Sequence, residues 1–248
     1  MIEARNLKKS FGANAVLNGV SFGIEKGESL AIIGRSGGGK SVLLKHLIGL
    51  LKPDTGEVLI DGEDITVMNE RDLIRVRRRF GMVFQGAALF DSLNVAENVA
   101  FAFRRDRRLT EKEITRKVSE SLEMVDLPGI EHKNPAELSG GMRKRVGLAR
   151  AIVYEPEIVL YDEPTTGLDP IVSDSIDDLM LRVRDRLHVT TVVVTHDMRT
   201  ARRLGQRILM LHDKNIYATG TAEEIFGSQD PVVKRFIEGV ADDKTLQS

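Results

Sequence analysis

A run of small and apolar residues, Ser29-Leu30-Ala31-Ile32-Ile33, leads without a break into Gly34-Arg35-Ser36-Gly37-Gly38-Gly39-Lys40-Ser41, and a helix-forming run follows over residues 41–51. An uninterrupted apolar stretch of that length reads as a strand covered on both faces, as in a parallel sheet. The glycine loop after it fits G-x-x-x-x-G-K-[ST]. In that pattern glycines turn backbone N–H groups toward phosphate oxygens and the next helix presents its positive end. Lys40 is then placed to hold the β- and γ-phosphates, and Ser41 to ligate Mg²⁺. The bland alternative is a Gly-rich turn before a helix, and the strand in front weighs against it.

Around this unit, residues 2–7 and 16–24 alternate apolar and polar side chains, with Gly12-Ala13-Asn14 as a turn between them, which predicts an antiparallel edge of sheet. Residues 57–61, 80–85, 157–161 and 190–195 read as further strands alternating with helices, so the fold class is α/β with a mixed, largely parallel sheet. Strand signals vanish from 86 to about 155. There Thr110-Glu111-Lys112-Glu113 is a capping box for an amphipathic helix to about 125, and Ser139 caps another to about 154. We read one domain over 1–240 with an inserted helical subdomain at 86–155. Strands at 207–211 and 215–218, a second capping box at Thr221 and Glu224, and a polar, mobile tail at 241–248 complete it. A 42% hydrophobic content suffices for a core, and 36 basic against 37 acidic residues leave no global field for nucleic acid or acidic lipid. No cysteine is present, which removes disulfides and thiolate chemistry. No secretion signal is visible and no apolar run approaches the roughly 18 residues that cross a bilayer, so service to a membrane would run through a partner.

Two more motifs bear on chemistry. Ile158-Val159-Leu160-Tyr161-Asp162-Glu163 is an apolar strand ending in two acids, whose desolvation needs a cation or polar partner. Asp162 is placed to hold the magnesium water shell and Glu163 to polarise an attacking water; a strand simply reaching solvent is the alternative. Leu138-Ser139-Gly140-Gly141-Met142 opens a helix, and taken alone is an ordinary N-cap. Its N–H groups, dipole and hydroxyl nevertheless form a second anion site that the first loop cannot use, which points to two copies sharing ATP.

With the acidic strand at its spacing after it, this stretch resembles the signature of ABC ATPases, and the likeness covers about residues 2–227. The resemblance implies a P-loop NTPase core in which Gly34, Arg35, Ser36, Gly37, Gly38, Gly39, Lys40, Ser41 and Val42 bind ATP. It also implies that Ser139, Gly140 and Gly141 clamp the γ-phosphate held by the other protomer. By the same likeness Gln85 is the glutamine that senses Mg²⁺ and the attacking water, His196 the switch histidine at the γ-phosphate, and Asp169 lies at the dimer seam. Each has a plain alternative as a polar strand end or cap. Phe11 falls where the family stacks an aromatic on adenine, and a core phenylalanine is the other reading. For His46, His132, His188 and His212 a structural role is preferred. Gly38, Val42 and Met142 depart from the commonest pattern without removing a catalytic group.

Residues 39–53, 84–99 and 138–145 further resemble the ATPase subunits of Mla phospholipid-transport systems. That likeness implies two copies at the cytoplasmic face of a bacterial inner membrane under a permease of MlaE type, with an MCE-domain protein of MlaD type and a STAS-domain protein of MlaB type. It also implies an apolar docking groove over 85–103, for which a buried seam is the alternative. Arg104-Arg105-Asp106-Arg107-Arg108 reads as a solvated turn, or as a contact for acidic headgroups. Competing functions are an importer ATPase for another small solute, a soluble ABC ATPase of DNA repair or translation, and an ATP-holding module without turnover. Glu163 argues against the last; the absence of long coiled-coil insertions and of a basic stripe argues against the second.

Overall fold

The computed structural model describes residues 1–105 and 109–240, the side chains of 104 and 105 excepted. The last three residues of the basic cluster and the expected tail at 241–248 lie outside the described residues. In chain order the elements are β1 (Ile2–Phe11), β2 (Asn14–Ile24), β3 (Ser29–Gly34), α1 (Lys40–Leu47), β4 (Thr55–Ile60), β5 (Glu63–Asp64), α2 (Glu70–Arg77), β6 (Phe80–Val83), α3 (Val95–Val99) and α4 (Glu111–Met124). There follow α5 (Gly140–Ile152), β7 (Ile158–Asp162), α6 (Pro170–Leu187), β8 (Thr190–Thr195), α7 (Met198–Leu204), β9 (Arg207–His212), β10 (Asn215–Thr221), α8 (Ala222–Phe226) and α9 (Pro231–Glu238). The chain forms two compact units, Met1–Leu73 with Val192–Ser248, and Ile74–Thr191.

In the first unit, β1 pairs antiparallel with β2 on one side and β4 on the other, and β5 closes the edge beside β4. Ile2 and Ala4 point into the core, then Leu7 does, because a register shift between Ala4 and Leu7 passes through Asn6 at φ 49°. Asn6 N–H donates to Ser21 Oγ at 2.7 Å, which secures the bulge to β2. Every residue of β3 is buried, as its unbroken apolar run predicts, and it pairs parallel with β9, whose other edge carries β10 antiparallel. The sheet is therefore mixed, as the sequence predicts.

The second unit holds the parallel pair β6 and β7, in register from Phe80 with Ile158 to Val83 with Tyr161, and the helices expected after residue 86. Thr110 and Glu113 cap α4 reciprocally, and Asp169 caps α6 through Ile171 and Val172 N–H. The side chains of Arg145 and Arg182 both reach the Asp126 carboxylate, joining the end of α4 to α5 and α6. Strand β6 stops at Val83, so Gln85 lies past the strand and does not end it as the sequence suggested. The reason sits just beyond: Ala87 and Ala88 take left-handed conformations at φ 60° and 48°, which turn the chain away from extended geometry.

Candidate functional site: a phosphate loop and a serine-glycine helix start

In the first unit, the glycines of the loop answer to specific approaches. The carbonyl of Leu211 would stand 2.6 Å from a Cβ at Gly34, and Val16 O would stand 2.9 Å from one at Gly39, itself at φ 94°. Any side chain at either place would displace a strand. Lys40 is buried and folds back over the loop, its Nζ donating to Gly34 O at 2.8 Å and Arg35 O at 3.0 Å. Helix α1 starts from Gly39, which provides no side-chain cap of the kind found at the other helices. Arg35, Ser36 and Gly37 are exposed, and Gly38, Ser41 and Val42 half-buried.

His196 is exposed just after β8, followed by Asp197, which caps α7. Gly34, Arg35 and His196 border one cavity of about 380 Å³, whose wall is completed by Met210, Phe236 and other residues of the C-terminal helix α9. A second hollow, about 250 Å³, runs along Ser36, Gly37 and Gly38 beside Val16 and His212. Phe11 is 50% exposed with the Lys9 ammonium 5.6 Å from its ring centroid, which rules out the core reading. His46 is buried in α1, its Nδ1 donating to Val42 O at 2.6 Å, and burial lowers its pKa.

In the second unit β7 is buried throughout and delivers Asp162 and Glu163, both buried carboxylates, at its end. Glu163 is held at φ 50°, and its Oε2 accepts from Thr166 Oγ1 at 3.1 Å. Ser139 is exposed and caps α5, accepting from Met142 N–H at 3.2 Å. Gly141 lies against α6, where a Cβ would stand 2.8 Å from Val172 Cγ1. Gln85 is exposed, and Asp169 sits on the cap of α6. Two residues that the motifs do not single out hold these segments. Lys144 Nζ donates to Gln85 O and to Glu163 O, the latter at 3.4 Å, and Arg150 donates to Ala88 O and Ala87 O, each at 2.7 Å. Burial lowers the Lys144 pKa, against the opposing pull of the Glu163 and Asp162 carboxylates. Periodicity carried a signal for Lys144: it stands four and eight residues before Leu148 and Ile152, on the buried stripe of α5.

The model of the family described as ABC transporter matches residues 17–166. The chain belongs to the ABC transporter family. This ABC protein is 43% identical to the probable ribonucleotide transport ATP-binding protein mkl of Mycobacterium leprae over 96% of its own length and 69% of that protein's. For the Mycobacterium tuberculosis counterpart the values are 42% identity and 66% of that protein, so the chain spans about two thirds of these relatives. It is 40% identical to the intermembrane phospholipid transport system ATP-binding protein MlaF of Haemophilus influenzae, over 98% of this chain and 92% of that one. Its fold superposes on the dimeric ATP-binding cassette MJ0796, solved in a post-hydrolysis state with ADP and Pi, with a TM-score of 0.82, 33% identity and coverage of 90% of this chain and 99% of that one. It is an ATPase that binds ATP and couples its hydrolysis to transport. Among the described residues no helix is long and apolar enough to cross a membrane.

Proposed function

We propose that this chain is the ATP-hydrolysing subunit of a transporter moving phospholipid between the inner and outer membranes of a bacterium. The observation that carries the reading is the match to MlaF along nearly the whole of both chains. The ribonucleotide proteins share slightly more identity but only about two thirds of their length. Two copies close around ATP. In each, the loop at residues 34–41 binds the nucleotide, with Lys40 on its phosphates and Phe11 against adenine. Ser139, Gly140 and Gly141 grip the γ-phosphate from the opposite protomer, and Asp169 lies at their seam. Glu163 polarises water, and His196 and Gln85 respond to the γ-phosphate and the metal.

Among the described residues no cluster of three or more acidic, His or Cys side chains forms a metal cage. That suits Mg²⁺, which is held by one or two protein oxygens together with substrate phosphates. Ser41, Gln85 and Asp162 would hold it, and it would neutralise charge on the transferring phosphoryl group. The permease, of MlaE type, docks on the face around α3, where the exposed rings of Phe90 and Phe101 pack at a tilt with centroids 4.4 Å apart. Proteins of MlaD and MlaB type complete the assembly at the inner membrane.

Co-expression with its permease, reconstitution into liposomes and a fluorescent phospholipid assay would test the cargo. ATP-dependent phospholipid movement, lost in Glu163→Gln while ATP binding persists, is expected. Movement of a ribonucleotide with no effect on lipid would replace the reading.

A further inference from the structure

Helix α5 does more than present Ser139, Gly140 and Gly141 at its start. Three positions along it, spaced by three, run beneath the loop that follows β6: Lys144 donates to Gln85 O, Gly147 backs onto Ala87, and Arg150 takes the carbonyls of Ala87 and Ala88. A Cβ at Gly147 would stand 3.2 Å from that of Ala87, so helix and loop are in close contact. The loop is held in left-handed geometry at two alanines, a conformation that persists only where surrounding contacts enforce it.

Lys144 differs from Arg150 in reaching a second segment. Its ammonium also meets the backbone carbonyl of Glu163, the residue at φ 50° where β7 ends, and it lies close enough to both acids of that turn to feel their charge. It does so at 8% exposure. Burying an ammonium is unfavourable, and an apolar side chain of similar volume at such a position is often neutral or stabilising. Packing alone therefore gives no reason for a lysine here, whereas the two carbonyls it joins do.

We propose that Lys144 is a positioning residue for ATP hydrolysis: from the helix opened by Ser139, its buried ammonium fixes the Gln85 loop and the Glu163 turn in one arrangement. The segment that grips a γ-phosphate, the loop that responds to it and the carboxylate that directs water then move as one body. This rests on the roles given above to Glu163 and Gln85. Lys40 and the loop at residues 34–41, to which nucleotide binding is assigned, belong to the other unit.

Steady-state hydrolysis by the reconstituted complex tests this with Lys144→Met, Lys144→Arg and Glu163→Gln. Lys144→Met is expected to lower kcat by about 10- to 100-fold, with KM for ATP changed by less than about twofold and the melting temperature equal or higher. Lys144→Arg, which keeps a charged donor, should recover most of the rate. In a Gln85→Ala background the Met substitution should cost distinctly less than in wild type, since residues acting through one another are not additive. Lys144→Leu carries the same expectation and serves if the Met variant does not fold. A Met variant with wild-type kcat would overturn the proposal, as would a rate loss that follows a lowered melting temperature and that arginine does not repair. Inactivity of Glu163→Gln beside a fully active Lys144→Met would sink the proposal alone; full activity of Glu163→Gln would sink the reading of the acidic turn beneath it.

Discussion

Helix α1 begins at Gly39, in a left-handed conformation and with no side-chain cap, whereas α5 begins at Ser139, extended and capping Met142 N–H with its own hydroxyl. Both starts are Gly-rich and both look alike as text. In the first, glycines at 34 and 39 are required because backbone carbonyls of neighbouring strands stand where a Cβ would go, and the loop's donors are aimed by backbone geometry. In the second, Gly141 is required because α6 stands there, and the start is held by side chains: a serine cap above, Lys144 and Arg150 behind. The first start is shaped to wrap a phosphate chain; the second, with one of its donors taken by Ser139 Oγ, is suited to meeting a phosphate that something else holds.

The sharpest way to break this contrast is Ser139→Arg. Hydrolysis is expected to fall by about 10²–10³-fold, as when one fixed donor to a transition state is lost, while a single subunit binds ATP as before by calorimetry. Loss of binding in the isolated subunit would make the two starts equivalent. Lys40→Ala should act the other way round. Charge-assisted hydrogen bonds contribute about 1.5–3 kcal/mol each, so nucleotide affinity should drop by at least about tenfold in the isolated subunit. Unchanged affinity would remove the loop from its role.

Smaller effects separate the two units by stability. His46 in α1 has a pKa lowered from 6.5 by burial, with Lys9 adding to the effect, so the unfolded chain takes up the proton first as the solution is acidified. Stability from this group is present above about pH 6.5 and is lost as pH falls from there toward the lower folded value. His46→Leu should flatten that slope in melting temperatures recorded between neutral and mildly acidic pH; an unaltered slope would place the acid sensitivity elsewhere. In the other unit, the Tyr161 hydroxyl is buried in β7 without a hydrogen-bond partner. Tyr161→Phe should stabilise by about 1 kcal/mol, read by urea denaturation, and destabilisation would show that the hydroxyl has a partner after all.

What could be read from the sequence was what is local. The apolar run of β3 gave a buried strand, and the capping boxes at Thr110 and Thr221 set the starts of α4 and α8, because each pattern contains its own cause. Helix α9 went unread although Asp230-Pro231 opens it with a capping carboxylate and a first-turn proline, the same signal that opens α6 at Asp169-Pro170. The end of β6 was misplaced for a different reason. Phe84 prolongs the apolar run, while the turn at Ala87 and Ala88 is held by Arg150, more than sixty residues away in the chain. Lys144 was hidden by its neighbours. It stands between two other cations in Arg143-Lys144-Arg145, and of the three only Lys144 is buried.

Burial of two amines, Lys40 at 5% and Lys144 at 8% exposure, places one in each compact unit. Amine-acylating reagents will label the surface lysines quickly and reach these two only when their surroundings breathe open. The protein thus carries a matched pair of built-in reporters. Peptide mass spectrometry across a catalytic cycle would show, without any introduced probe, which unit loosens first.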